Sequence, residues 1–70
     1  MNISVVVPVY RGETLIEPLV ERLAKALPKF SKEYEVLLVN DGSPDNSWFI
    51  IQGLTRKYKW VLGIRLMRNY

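Results

Sequence analysis

Two polar segments of the sequence contain the residues that could do chemistry. Residues 10–13 read Tyr-Arg-Gly-Glu and residues 40–45 read Asn-Asp-Gly-Ser-Pro-Asp, and each segment follows a short apolar run. A carboxylate accepts hydrogen bonds from ribose hydroxyls or from a ring N–H of a nucleobase, and an aromatic ring offers a flat face for stacking. The two segments therefore contain the residue types of a nucleotide site.

Asp41 is the main binding candidate in the second segment. It directly follows an apolar run, and Gly42 permits a tight turn after it. The other interpretation is that Asp41 only shapes the turn before the next helix, and the residues by themselves support both roles equally. For Ser43 and Asp45, helix capping is the favoured role.

The first segment lacks a glycine-rich phosphate-binding turn. A G-x-G-x-x-G pattern would be needed, and Gly12 is the only glycine there. Pro8 stiffens the exit of the preceding run, and Tyr10 offers a ring on which a base could stack, although such a tyrosine is more often a packed edge residue. Arg11 and Glu13 are polar residues at the same rim, where solvation alone would explain them.

Three apolar runs predict strands at Ile3–Val9, Tyr34–Val39 and Trp60–Leu66. The first is nearly continuous in hydrophobicity and rich in β-branched residues, which is typical of a strand covered on both faces. The third is weaker because Gly63 interrupts it.

Helical periodicity occupies the two intervals between these strands. In the first, leucines recur every four residues, and Ile16, Val20 and Ala24 stand beside them, so that one stripe faces a core (Leu15, Leu19, Leu23 and Leu27). Thr14-x-x-Glu17 predicts a capping box, with Pro18 at the edge of the first turn, and Pro28 is expected to end the helix.

The second helix is predicted to start at Ser43-Pro44-Asp45, with serine as N-cap, proline at the first helical position and aspartate in the first turn. Its apolar residues then mark a buried stripe, which Ile50 supports (Trp48, Ile51, Leu54 and Tyr58). Gly53 weakens this helix by about 1 kcal/mol relative to alanine.

Strands and helices that alternate in this way predict an α/β fold, a βαβαβ Rossmann-like half with a three-stranded parallel sheet. In such sheets ligands bind beyond the carboxyl ends of the strands, where strand order reverses, and both polar segments reach that edge. Two helices leave one layer of the sheet poorly covered. Residues 1–70 are therefore expected to be the truncated N-terminal part of a larger domain.

Composition excludes several classes of protein. The 70 residues contain no cysteine and no histidine, which removes disulfides, thiolate chemistry and imidazole bases. The net charge of +3 comes mostly from the last third of the chain, where a solvated face is favoured over a groove for a phosphate-bearing partner. No secretion signal or membrane span is predicted, and a cytoplasmic location fits.

Taken together, the run Val5 to Tyr10, the amphipathic helix and the segment Tyr34 to Asp45 resemble the opening of family 2 glycosyltransferases with the GT-A fold. The resemblance is greatest to the branch of dolichol-phosphate mannose synthase and bacterial polyprenyl-phosphate glycosyltransferases. Residues 65–70, Arg-Leu-Met-Arg-Asn-Tyr, resemble the segment that follows the third strand in that branch.

The resemblance implies a site for the nucleotide of a UDP- or GDP-linked sugar donor. It assigns Pro8 and Tyr10 to the border of that site, Asp41 to a contact with the base, and Val39 to a backbone contribution. The family's glutamate falls on Gly12, and the acid here comes one residue later, at Glu13, which is therefore a weaker candidate. Asn40 stands where many relatives have a second aspartate.

The resemblance also implies what lies elsewhere. The family's D-x-D metal motif, which binds Mg²⁺ or Mn²⁺, and its catalytic elements come downstream, so the 70 residues are expected to contain no catalytic and no metal-binding residue and to be inactive alone. The implied acceptor is a polyprenyl phosphate, and the implied location of the whole protein is the cytoplasm or the cytoplasmic face of a membrane.

Other hypotheses for the function of this sequence stay open. The chain could be a non-catalytic α/β binding or interaction module, and the isolated fragment could self-associate through its uncovered face. A phosphoacceptor receiver domain is disfavoured because Tyr10-Arg11-Gly12 stands where an acid pair is needed. A nucleic-acid partner is not expected, since only the basic tail would support it.

Overall fold

The structure, a computed structural model, describes residues 2–42 and 46–66. In those ranges the elements follow one another as β1 Asn2–Val9, α1 Ile16–Phe30, β2 Glu33–Asp41, α2 Ser47–Lys57 and β3 Val61–Leu66. The predicted alternation of strands and helices is confirmed. Each strand lies within about two residues of its predicted bounds, as expected of apolar runs of strand length.

The strands form one parallel sheet in the order β1-β2-β3, so β2 is central. The register places Val5 opposite Val36, and Val36 opposite Val61. The predicted α/β, Rossmann-like architecture is confirmed. Among the described strands, however, the order does not reverse, because each crossover moves the chain one strand further in the same direction. The crevice expected at a reversal of strand order is therefore not formed between them.

Both helices pack on one face of the sheet, where they also contact each other. This arrangement follows when successive crossovers have the same hand and move in the same direction. The core lies between the helices and that face, and its buried apolar side chains are Val9, Ile16, Val20, Leu27, Val36, Leu38, Ile51, Leu54 and Val61.

The start of α1 differs from the prediction. The helix begins at Ile16, and the flanking Leu15 makes no side-chain capping hydrogen bond, so the predicted Thr14 capping box is wrong. The Gly12 carbonyl instead accepts hydrogen bonds from the backbone N–H groups of Leu15 and Ile16, at 2.9 and 3.1 Å. A backbone turn thus begins the helix without a side-chain cap.

The buried stripe of α1 agrees with the prediction except at its start. Ile16, Val20 and Leu27 are buried and Leu23 packs against them, whereas Leu15 is 69% exposed. Four residues advance an α-helix by more than one turn, so a line of residues spaced by four drifts by about 120° over twelve positions. The leucines at the two ends of the predicted line therefore cannot share one face.

Pro28 does not end α1, which continues to Phe30. The helix closes with a hydrogen bond of 3.1 Å from the Ser31 N–H to the Leu27 carbonyl. Pro28 lies in the last turn, where its missing N–H removes one hydrogen bond and few bonds remain to be disturbed.

The second helix begins at Ser47, later than the predicted start at Ser43, and Asn46 flanks it without a side-chain capping hydrogen bond. Ser43, Pro44 and Asp45 lie outside the described residues. The predicted buried stripe of this helix is confirmed: Ile51 and Leu54 are buried, and partly buried residues pack beside them (Trp48, Ile50 and Tyr58).

The face of the sheet opposite the helices is open in the described residues. Val6 of β1 is 62% exposed, and alternate residues of β3 are also exposed, though less so, with Leu62 at 45%, Ile64 at 40% and Leu66 at 46%. The predicted shortage of cover on one layer is confirmed, and the prediction that β1 is covered on both faces is wrong. Neither described helix has the length and apolarity that a membrane span requires.

Candidate functional site

The two polar segments meet at the carboxyl edge of the sheet. Val9, the last residue of β1, pairs with Asn40 of β2. Tyr10 and Asp41 therefore each stand one position beyond this last pair, on neighbouring parallel strands. The register brings together the two segments that the sequence separates by about thirty residues.

Alternation along the strands places Pro8, Val39 and Asp41 on the open face of the sheet. Pro8 pairs with Val39 in the register. Pro8 is exposed next to buried Val9, and Val39 is half-buried between buried Leu38 and Asn40. Because successive side chains point to opposite faces, Asp41 shares the face of Val39. Three of the predicted site residues thus lie on one surface.

Tyr10 is exposed at the end of β1, with 54% of its surface accessible. It is therefore not the packed edge residue that its type alone would suggest. The Arg11 guanidinium carbon lies 5.6 Å from the centroid of the Tyr10 ring, within the range of a cation–π contact. Arg11 covers one side of the ring and leaves more than half of the side chain accessible.

Arg11 is a residue whose role the sequence did not reveal. Its backbone φ is 54°, in the left-handed region that costs a non-glycine residue about 1–2 kcal/mol. This conformation turns the chain sharply after Tyr10. No signal in the sequence distinguished Arg11 from a solvated rim residue, since adjacent residues contact each other in this way only in an unusual backbone conformation.

Glu13 lies in the turn that leads into α1, where it is half-buried. Gly12 precedes it, and a Cβ at Gly12 would lie 3.4 Å from Cγ1 of Val9. The turn is therefore close to the end of β1. Glu13 stays on the same edge of the sheet as Tyr10 and Asp41, although it comes one position later than the acid of the resembled family.

Gly42 follows Asp41 with a φ of 67°. An L-residue with a side chain adopts this conformation only with strain, so a glycine is favoured here. β2 ends at Asp41, and Gly42 has the left-handed conformation that the predicted tight turn would use; residues 43–45 of that turn lie outside the described residues.

Two buried polar residues support the second segment from the helical side. Asn40 is 1% exposed and Ser47 is fully buried. In the described part of the chain, no buried side-chain nitrogen or oxygen lacks a hydrogen-bond partner. Sequence reasoning treated Asn40 only as a loss of negative charge. Its burial gives a further reason for an amide, because a buried carboxylate carries a much larger desolvation cost.

Among the described residues, this edge has basic side chains, Arg11 and Arg65, but no group of metal ligands. Residues 2–42 and 46–66 contain no group of three acidic, histidine or cysteine side chains that could hold a cation. Arg56 and Lys57 lie in the last turn of α2, at the amino edge of the sheet. Arg65 instead pairs with Asn40 near the carboxyl edge, where its guanidinium carbon lies 5.8 Å from the Trp48 ring centroid.

A comparison with protein-family models supplies the remaining finding. The model described as "Glycosyl transferase family 2" matches residues 4–70. The match includes both polar segments, β1 from its third residue onward, and the other four elements in full. It covers far more than half of the sequence, and the chain belongs to glycosyl transferase family 2.

Proposed function

We propose that this chain forms the donor-nucleotide-binding part of a glycosyltransferase, an enzyme that moves a sugar from a nucleotide-sugar to an acceptor. Membership of the family supports glycosyl transfer as the activity of the protein that carries the chain. The observation on which the proposal for these residues rests is the position of Asp41, at the carboxyl edge of the central strand.

The surroundings of Asp41 fit recognition of a nucleoside. Its side chain is half-buried, so a ligand can reach its oxygens while the sheet holds them in place. Tyr10 lies at the same edge on the neighbouring strand and is exposed. A base stacked on the Tyr10 ring would bring its ring N–H, or its ribose hydroxyls, towards the Asp41 carboxylate.

The other proposed residues complete the border of the site. Pro8 and Val39 pair on the open face, where Pro8 fixes the backbone at the exit of β1 and Val39 offers backbone groups beside Asp41. Glu13 lies in the turn before α1 on the same edge. Its proposed role is to accept a hydrogen bond from the donor.

A finer proposal rests on the resemblance of two segments, Tyr34 to Asp45 and Arg65 to Tyr70, to the polyprenyl-phosphate branch of the family. In this proposal the parent enzyme belongs to that branch and acts in cell-wall or polysaccharide biosynthesis. Its acceptor is then a polyprenyl phosphate at the cytoplasmic face of a membrane. An ionised phosphate oxygen forms the new bond to the anomeric carbon with inversion, and the bond to the nucleoside diphosphate breaks.

Members of this family often use divalent metals. Because the described residues provide no three-ligand group, we assign the ligands for Mg²⁺ or Mn²⁺ to sequence downstream of this chain. The described residues bind and orient the nucleoside in this proposal. No catalytic group is assigned among them.

Titration with UDP and GDP tests the role of Asp41 in the protein that carries this chain. We expect Asp41→Ala to weaken binding of the preferred nucleotide by about 1–3 kcal/mol, because a buried donor on the ligand loses its acceptor. Glu33→Gln is the matched control, since Glu33 is an exposed carboxylate at the other end of the same strand. Equal affinities for wild type and Asp41→Ala would mean that Asp41 only shapes the turn and does not bind the nucleotide.

The gene that encodes this chain gives a second test. We expect an Asp-x-Asp motif after another strand, within about 20–40 residues beyond Tyr70 by ordinary βα spacing. An open reading frame without such a motif, together with a protein that binds a nucleotide but transfers no sugar, would favour the non-catalytic binding module.

A further inference from the structure

A groove on the helical side of the molecule lies on the opposite face from Asp41. It runs between α1 and α2 and has a volume of about 350 Å³. Buried Leu54 contributes to its floor, and the residues around it are Glu17, Glu21, Phe49, Ile50, Gly53 and Lys57. The nucleotide proposed above makes no use of this surface.

Phe49 gives the groove an apolar wall that the fold does not need. Its side chain is 79% exposed, the most open of the large apolar side chains in the described residues. Half-buried Ile50 continues the apolar surface inward to the core. Phe49 and Ile50 together give the groove an apolar wall against which a partner's apolar side chain can pack.

Gly53 lies in the groove, in the middle of α2, where glycine is among the least favourable helix residues. A Cβ at this position would meet no atom within 4 Å. Packing inside the molecule therefore gives no reason for a glycine here. A group that approaches the helix from outside would explain it, because the missing side chain deepens the groove.

The charges around the groove indicate the chemistry of that group. Glu17 and Glu21 are exposed on successive turns of α1, along one rim. The Lys57 ammonium lies at the end of the groove, 5.3 Å from the Tyr58 ring centroid. The groove is thus lined by two carboxylates and one ammonium, so its net charge is negative.

We propose that this inter-helix groove is a docking site for a segment of a partner protein that carries an apolar anchor side chain beside a lysine or arginine. The anchor packs against Phe49 and fills the space above Gly53. The cation pairs with Glu17 and Glu21. Charge complementarity at the rim selects a basic segment over an acidic one.

Selection from a displayed library of random dodecapeptides tests this proposal on the protein that carries the chain. The Gly53→Met variant serves for counter-selection, because methionine suits a helix and fills the groove. Gln52→Met is the matched control, since Gln52 is exposed on the same helix outside the groove.

We expect the selected peptides to combine lysine or arginine with an aromatic residue or leucine. Their affinity should fall at least tenfold for Gly53→Met and for Glu17→Lys with Glu21→Lys, and stay within twofold for Gln52→Met. The double lysine variant should select acidic peptides instead. Nucleotide titration of the same variants should be unchanged, which separates this site from the one at Asp41.

Two results would overturn the proposal. One is a selection that yields no basic and apolar peptides, or only peptides that bind wild type and Gly53→Met equally. The other is self-association of the protein that Gly53→Met abolishes, which would make a second copy the occupant of the groove.

Discussion

At the scale of single residues, the site depends on two neighbours with opposite surroundings. Asn40 is buried among the helices, whereas Asp41 is half-exposed on the open face. Their side chains point to opposite faces because the strand alternates. A shift of the register by one residue would place the Asp41 carboxylate in the core and the Asn40 amide at the rim, and both would then be misplaced.

Replacement of Asn40 by leucine tests the buried amide. Leucine has a similar size but leaves the hydrogen-bond partner of the amide without a bond, so we expect a loss of about 1–3 kcal/mol in the free energy of unfolding. Urea denaturation followed by tryptophan fluorescence measures it. Asn2→Leu, at an exposed asparagine of β1, is the control and should change stability by less than about 0.5 kcal/mol.

Equal unfolding midpoints for Asn40→Leu and wild type would mean that the amide contributes no net stability. Asn40 would then have no structural reason to be polar.

At the scale of elements, two glycines have opposite effects on the packing of α2. A Cβ at Gly63 of β3 would lie 2.6 Å from Cγ2 of Ile51, which is fully buried and cannot move aside. Gly63 therefore allows α2 to approach β3 closely, and the glycine that weakens the strand signal in the sequence is a packing requirement. Gly53, on the outer side of the same helix, meets no such limit.

We expect Gly63→Ala to lower the free energy of unfolding by about 1–3 kcal/mol through overpacking. Gly53→Ala should instead raise it by up to about 1 kcal/mol, because alanine favours the helix and finds open space. The two variants carry the same chemical change, and chemical denaturation of both measures the difference. A loss of stability in Gly53→Ala would show that internal packing, and not an external ligand, requires that glycine.

An aromatic cluster fixes the opposite edge of the sheet. The Trp60 ring lies 5.3 Å from that of Tyr34 in an edge-on arrangement and 4.9 Å from that of Tyr58. The Val36 N–H also donates to the Trp60 carbonyl, at 2.8 Å. The cluster thus anchors the start of β3 at the amino edge and leaves the carboxyl edge available for a ligand.

At the scale of the whole molecule, the open face of the sheet is the dominant feature. Apolar side chains of β1 and β3 cover this face without a second layer over them, while the core lies only on the helical side. A chain of 70 residues buries a modest share of its surface even when both faces are covered. The described layer is therefore expected to be marginally stable without a partner for this face.

Lysine at Val6 and Leu62 tests whether this face is covered in the protein that carries the chain. In the 70 residues alone, we expect the double variant to bind less of an apolar dye and to self-associate less at equal concentration, with little change in stability. In the larger protein, the same change should lower the unfolding temperature, because it buries two charges under the covering layer.

Phe30→Lys is the control for both measurements, since Phe30 is 72% exposed at the end of α1 and away from this face. An unfolding temperature in the larger protein that falls no further for the double variant than for this control would show that the face stays open there.

The sequence by itself determined the order of elements, the parallel sheet, the two segments at its carboxyl edge and the family. These features depend on local patterns: apolar runs predict strands, helical period predicts the segments between them, and Gly42 predicts the turn after Asp41. Each pattern is complete within a few neighbouring residues, so these features can be predicted without knowing which elements pack together.

Only the tertiary structure decided the points that depend on contacts across the chain. The structure showed that Leu15 is exposed and that α2 begins at Ser47. It also showed that Arg11 lies over the Tyr10 ring, and that Gly63 is needed because Ile51 packs closely against it. It also separated Asn40 from Asp41 by the sheet itself. The physical reason is that burial, backbone strain and register belong to pairs of elements, and a linear pattern contains only one member of each pair.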